Sequence, residues 1–358
     1  MRVRAGLVAV AVGSMAILGC GGDGDRPNAD RSAEDGGDER TSADLHLTTV
    51  ATLEIKIDEP VLTGAGIVAL GERDRLVLLD PEDGSVRRAD DRDGFAQATV
   101  DDPTLSHLVQ LEDGRVFAST GVEGRCGWSR VAPATLALGS PVAESDTSCV
   151  ASQHEVLGHS VYWIREDIQV TPTARYLEVA DLDAGTVRSR PLAEVLPAGY
   201  TYTSLVGMLR TPDGAVVVGA TKTGDGSVGT LFAVGQDLSL REERRVAETE
   251  PWLTGQAVGF PRLVAGPSTW FVTGTPRSGG IDLHLVLASR RGEELGRLAL
   301  TALSEDGGAS PLGDVDLVLA ADRDTAYLFK VVHTSVPAGP DGPPDFRYRT
   351  TIYEVDAA

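Results

Sequence analysis

The chain has 358 residues and a mass of 37.6 kDa, with 42% hydrophobic residues, 5% aromatic residues, 41 Gly and 19 Pro. That apolar fraction supports a large core and excludes wholesale disorder and collagen-like structure. The 53 acidic against 32 basic residues give a formal net charge of -21, which repels phosphate backbones, so no nucleic-acid partner is expected.

In chain order the first feature is an export signal. Arg2 and Arg4 precede an apolar run from Ala5 to Leu18, too short to cross about 30 Å of hydrocarbon, so residues 1–19 read as a signal peptide. The tetrapeptide Ile17-Leu18-Gly19-Cys20 at its end resembles the bacterial lipobox. The resemblance implies cleavage between Gly19 and Cys20, acylation of Cys20 by diacylglycerol and palmitate, and membrane attachment through that lipid. The expected location is exported and membrane-anchored, at the outer membrane or the cell surface, since Gly21 stands where an inner-membrane retention Asp would be. Two or three acyl chains, at about 0.8 kcal/mol per buried methylene, anchor durably. Residues 20–44 carry eight acids against three Arg and almost no large apolar side chain, so they read as a flexible, extended tether. A metal-binding acidic tail is the competing reading, but the acids are scattered with no loop to fix them.

With Cys20 committed to lipid, Cys126 and Cys149 remain, an even pair in an exported chain. The oxidising compartment favours a disulfide between them over two buried thiols.

From residue 45 to 358 the sequence reads as strand and turn: short runs rich in Val, Leu and Thr bounded by Gly, Asp and Pro. Tight turns recur as Asp-Gly or Asp-Ala-Gly at 83–84, 113–114, 183–185, 213–214 and 225–226. Five hairpins, at 106–119, 154–164, 204–218, 260–272 and 315–329, share one layout and step by roughly 50 residues. Third strands are expected at 129–138, 175–185, 230–239, 283–293 and 350–358, and short fourth strands at 186–192 and 294–300. A more compact unit, 61–89, precedes them. Tandem units of four antiparallel strands predict an all-β chain, a β-propeller of six four-stranded blades. The last unit stops at its third strand, and an orphan strand, 47–57, leads the body. Closure is therefore expected by pairing 47–57 with 350–355, which removes exposed edges. A β-sandwich or two smaller β domains is the competing architecture.

The first unit contains RLVLLDPEDGSVRR, and weaker copies follow at 178–187 and 233–240. This form is similar to the repeat of the YVTN and quinoprotein-like β-propellers, a resemblance that implies a propeller and no particular reaction. Gly158-His159 is followed by no Trp-Asp, unlike the WD repeat.

Chemistry in propellers is expected at the central channel, near the starts of blades. The six histidines stand in no HxH, HExxH or HxxxH spacing, and isolated histidines in strands are ordinarily structural. His107 and His154, both near the beginnings of first strands, are the nearest to candidates, and no catalytic set is assigned. Trp128, Trp163, Trp252 and Trp270 fall in different segments with no stack indicated. The only Asn is Asn28, so the body lacks the Asn donors that six-bladed lactonases use for a channel cation. No cofactor is predicted; calcium on Asp90, Asp91 and Asp93 is the weak metal alternative, against a solvated connecting loop.

The expectation is a lipid-anchored, non-catalytic propeller that presents a binding or scaffold face to a protein or small ligand. The rival is a propeller enzyme, a hydrolase or quinone-dependent dehydrogenase working through the channel, favoured if Asp, Glu and His converge at its mouth.

Overall fold

Strands form here because aliphatic runs of four to eight residues are cut by turns that need positive φ. Gly114 shows the device: at φ +83° it donates its N–H to Leu111 O at 2.9 Å, while Asp113 Oδ1 accepts from Arg115 N–H at 3.0 Å. The side chain at 113 caps the turn and the glycine supplies the handedness.

The computed structural model describes residues 43–88, 104–122, 125–147, 154–167, 173–202, 208–211, 214–222, 229–245, 262–265, 268–277, 280–289, 293–300, 315–321, 325–336 and 345–357. All belong to one unit, Arg40–Ala358. The expected signal peptide, Cys20, residues 20–42 of the expected tether, Asp90, Asp91, Asp93, Cys149 and Trp252 lie outside the described residues, whereas Ala43 and Asp44, expected as the end of that tether, are in a strand.

An opening strand, β1 (Ala43–Leu53), precedes a series of antiparallel meanders. The first is β2 (Asp58–Thr63), β3 (Gly66–Leu70), β4 (Leu76–Leu79) and β5 (Val86–Arg88). The second is β6 (Thr104–Gln110), β7 (Val116–Val122), β8 (Arg125–Ala132) and β9 (Ala137–Ser145). The third is β10 (His154–Leu157), β11 (Ser160–Asp167), β12 (Ala174–Asp181) and β13 (Thr186–Pro191), followed by the single turn α1 (Leu192–Val195). In the fourth, β14 (Tyr200–Tyr202) and β15 (Met208–Arg210) share β16 (Val216–Lys222) as partner, ahead of β17 (Gly229–Val234) and β18 (Leu240–Arg245). The fifth is β19 (Arg262–Ala265), β20 (Ser268–Arg277), β21 (Gly280–Ser289) and β22 (Glu294–Ala299). The last is β23 (Val315–Ala321), β24 (Ala326–Val336) and β25 (Asp345–Ala357), completed by β1. Among the described residues no helix is long and apolar enough to cross a membrane.

β1 lies antiparallel to β25, from Leu45 opposite Ala357 to Leu53 opposite Thr350. The expected pairing of the two ends is present, four residues earlier on the first strand than 47–57. Beyond Leu53 the chain leaves the sheet and turns Ile55 and Ile57 into the core, with Thr350 Oγ1 donating to Ile55 O at 2.6 Å. Ala43 and Asp44 also pair in parallel with Gly296 and Arg297 of β22, which joins the fifth and last meanders into one sheet.

The core is built between meanders. In β3, Val68 and Leu70 pack on Leu108, Val116 and Ala118 of the second meander. Their alternates Ile67 and Ala69 pack on Phe329, Val331 and Ile352 of the last. A strand buried on both faces reads as a continuous apolar run, hence GIVAL and LVLL without alternation. The same packing links the second to the third and fourth, the fourth to the fifth, and the fifth to the last. The chain is a β-propeller.

One strand-boundary expectation is corrected in the second meander. Residues 129–138 are not one strand, because Pro133 and the turn after Ala132 break them into the end of β8 and the start of β9. Leu136 sits there at φ +56° and 2% exposure, and Leu238 repeats the arrangement in the fourth meander at φ +58° and 2% exposure. The buried leucine offsets the backbone cost. In the fourth meander the hairpin expected at 204–218 is described from Met208, where β15 pairs with β16; β14 adds a short strand before it, and residues 203–207 lie outside the described residues.

Candidate functional site

First strands are innermost: β2 packs on β6, β6 on β10, and β10 on β15. Three of them bring Glu59, His107 and His154 together. Glu59, the second residue of β2, sits at φ +45°, a left-handed conformation that costs a non-glycine residue about 1 kcal/mol or more. A register shift between Asp58 and Val61 bulges β2 there, and a second shift, between Leu105 and His107, bulges β6. Bulges of this kind re-aim side chains. Their product is a short contact in which His107 Nδ1–H donates to Glu59 Oε1 at 2.5 Å. The other carboxylate oxygen accepts the Leu108 N–H at 2.8 Å. One carboxylate thus fixes the ring and the backbone of β6, and with Nδ1 carrying the proton the lone pair of His107 is at Nε2.

His154 opens β10 and lies against His107, ring centroids 4.0 Å apart and tilted by 43°. Behind it stand Trp128 at 5.4 Å, edge-on, and Trp163 at 6.0 Å, stacked; the two indoles are 5.9 Å from each other. Register explains the grouping. His107, Ser119, Trp128 and Ala143 are cross-strand neighbours in the second meander. His154, Trp163, Glu178 and Ser189 form the matching row in the third. The two rows face each other across the seam between meanders.

The seam is polar and largely sealed. His154 is half-buried as a residue, yet both ring nitrogens are shut off from solvent and have no hydrogen-bond partner among the described residues; nor have Ser119 Oγ, Trp128 Nε1 and Trp163 Nε1. Burial holds the His154 imidazole well below its ordinary titration range, and the positive charge that His107 can carry pushes the same way. Farther out, Glu178 is fully buried. Its Oε1 accepts from Arg165 Nε at 2.8 Å and from Ser189 Oγ at 3.0 Å, and Arg165 stacks over Tyr176 at 4.2 Å.

At the turns of the same meanders a second charged group is exposed. His159 Nδ1 donates to Asp183, Arg115 bridges Asp113 at 2.6 Å and Asp183 at 2.8 Å, and Arg210 pairs with Glu112 at 2.8 Å. Hydrogen bonds from Arg115 keep the Asp183 carboxyl below the usual range. These contacts tie turns of the second and third meanders to each other and the second meander to β15 of the fourth, and surface pairs of this kind contribute little each.

The remaining histidines are apart from the site: His46 is exposed on β1, His284 lies on β21, and His333 Nδ1 is 3.8 Å from Asp316. Among the described residues no group of three or more His, Cys, Asp and Glu is placed to hold a metal ion. Spacing arguments treated His107 and His154 as separate and Trp128 and Trp163 as unrelated; the structure joins all four. Glu59 was missed. No motif marks it, because its role depends on a positive φ that the sequence Asp58-Glu59-Pro60 does not announce.

Chemically, Glu59 and His107 form a carboxylate-oriented base that can take a proton at Nε2, beside a neutral imidazole and two indoles.

No protein-family model matches the chain, and no curated protein matches it. Among solved structures it is similar to a luciferin-regenerating enzyme, at 11% identity over 84% of this chain and 92% of that one, with a TM-score of 0.44. It is similar to YCF48 bound to D1 peptide, at 10% identity over 85% and 79% of the two chains, TM-score 0.41. It is also similar to BamB from Moraxella catarrhalis, at 12% identity over 88% and 83%, TM-score 0.30. The likeness is one of fold alone.

Proposed function

We propose that this chain is a lipid-anchored, extracytoplasmic propeller of six blades that works as a binding module in the cell envelope. Cys20 carries the anchor, and the acidic tether holds the head off the membrane. The observation that carries the binding reading is the convergence of Glu59, His107 and His154 from three successive inner strands, positioned by two bulges. Strained backbone kept at one place on the inner wall of a propeller marks a site under functional constraint. Its occupant is a protein segment or small ligand entering from the channel end where these residues lie.

Two measurements test this. Fractionation of wild type and Cys20→Ser, with a palmitate label, should move the protein from membrane to soluble fraction and remove the label. Site-directed crosslinking in intact envelopes should yield an adduct that Glu59→Gln and His107→Ala abolish and Asp316→Asn leaves in place. An adduct unaffected by either site variant would put the binding face elsewhere.

The oriented base favours one second reading, a hydrolase or quinone-dependent dehydrogenase in which His107 Nε2 accepts the substrate proton. Turnover of an ester, lactone or alcohol that disappears in His107→Ala with binding retained would support it. Calcium on Asp90, Asp91 and Asp93 remains a proposal, tested by a thermal shift with the ion and its loss in Asp91→Asn.

A further inference from the structure

We propose that the seam between the second and third meanders is an acid-responsive joint: protonation of His154 releases β10 from β6 while the rest of the propeller stays folded.

Three features carry it. The first is the enclosure of His154. From β6 it meets His107, with Glu59 of β2 behind that ring; from β8 and β11 it meets Trp128 and Trp163. Arg165 and Glu178 lie farther along the same seam, where Arg165 takes Oε1 of Glu178 while the buried Oε2 has no hydrogen-bond partner among the described residues. Glu155 is its neighbour on β10, and Arg210 of β15, the inner strand on the other side, is tied to Glu112. No carboxylate among the described residues bonds to either nitrogen of His154, so a proton placed there has no counter-charge in contact. Attraction to the stacked face of Trp163 is weaker than the cost of taking an imidazolium out of water.

The second feature is the weakness of β10. It has four residues, none fully buried, and is bonded within its meander on one side only, to β11. Opening it sacrifices a short ladder, whereas unfolding the propeller sacrifices the whole core, and proteins open first where local stability is least.

The third is the set of unpartnered polar groups beside it: Ser119 Oγ, Trp128 Nε1 and Trp163 Nε1. An open seam lets water reach all three and solvates the new charge, so the opened state recovers hydrogen bonds that the closed state forgoes. Because Glu59 and His107 form the other wall, opening also unmakes the site described above.

The test is a pH titration of the full chain from 8 to 4, following tryptophan emission, far-ultraviolet circular dichroism and amide exchange by mass spectrometry. The expected result is a reversible change in emission with a midpoint below the ordinary histidine value of about 6.5. It should come with unchanged dichroism and at least a tenfold faster exchange confined to residues 105–110 and 154–164. His154→Phe, which keeps an aromatic ring and cannot ionise, should abolish both changes while keeping the wild-type dichroism at pH 8. Should that variant fail to fold, His154→Gln serves in its place. Three outcomes overturn the proposal: no change above pH 4, a change that coincides with loss of dichroism, or a change that persists in the His154 variant.

Discussion

Oε1 of Glu59 lies 2.5 Å from Nδ1 of His107, so a carboxylate of the first meander holds a ring of the second. Its other oxygen takes the Leu108 amide at 2.8 Å, which ties the two inner strands together through side chain and backbone at once. In Glu59→Gln the amide has one oxygen and an NH2, so either the Nδ1–H bond of His107 is lost or the ring must move its proton to Nε2 and accept from the amide. A loss of about 1.5–3 kcal/mol is expected, the worth of a hydrogen bond to a charged group. Urea unfolding with an unchanged slope checks it, and imidazole nitrogen shifts should show the His107 tautomer preference weakened.

Acid should destabilise the fold through His154. Its folded-state pKa is pushed down by burial, so above about pH 6.5 neither folded nor unfolded state binds the proton and stability does not depend on it. As pH falls below that value the unfolded chain takes up a proton that the folded chain refuses. Stability then drops by up to about 1.4 kcal/mol per pH unit until the folded-state value is reached. Asp113 and Asp183, with lowered values, add stability above the ordinary carboxyl range and lose it only as pH falls through their own lower values. Urea midpoints at pH 7.5, 6 and 5 should therefore decline in wild type and stay flat in His154→Phe.

Removing Glu178 should be costly. Its carboxylate is fully buried and accepts from Arg165 and Ser189, so Glu178→Ala leaves a guanidinium and a hydroxyl stranded in the seam. The expected loss is about 3 kcal/mol or more. Glu178→Leu combined with Arg165→Met should recover part of it, and a double-mutant cycle by urea unfolding gives the coupling.

Gly84 closes the Pro81-Glu82-Asp83-Gly84 turn at φ +70°, and a Cβ there would stand 2.3 Å from Cβ of Ala51 on β1. Gly84→Ala thus strains a turn and collides with the strand that joins the two ends of the chain. A loss of about 2–3 kcal/mol is expected, with partial rescue by Ala51→Gly, measured as a shift in thermal midpoint.

The disulfide proposal rests on position. Cys126 is buried on β8 and stands opposite Ser145, four residues ahead of Cys149. Mass spectrometry of the unreduced chain should show an adduct-free Cys126–Cys149 peptide, and Cys126→Ala with Cys149→Ala should cost about 3 kcal/mol. Free thiols at both positions in exported protein would remove the proposal.

Strand and turn were legible because they are local. An aliphatic run between Asp-Gly turns has few alternatives, and the recurrence of that unit predicts a propeller from entropy and burial alone. Closure by the two ends could also be read, since an unpaired strand at the start and a meander short of one strand at the finish each leave an edge to be covered. Boundaries were read less well: 129–138 was divided and 47–57 slid to 43–53, because Pro133 and the burial of Ile55 and Ile57 are settled by what packs on them.

Composition, the lipobox-like start, the acidic run of residues 20–44 and the repeat were determined by the sequence itself, for each depends on neighbours along the chain. The site was decided by tertiary structure. His107 and His154 are 47 positions apart and Glu59 is 48 before His107, about the repeat length, so that equivalent inner strands deliver them to one place. Whether side chains in register from adjacent meanders meet or miss depends on a bulge, a positive φ and a seam a few ångströms wide. Those are properties of packed sheets, and no single strand carries them.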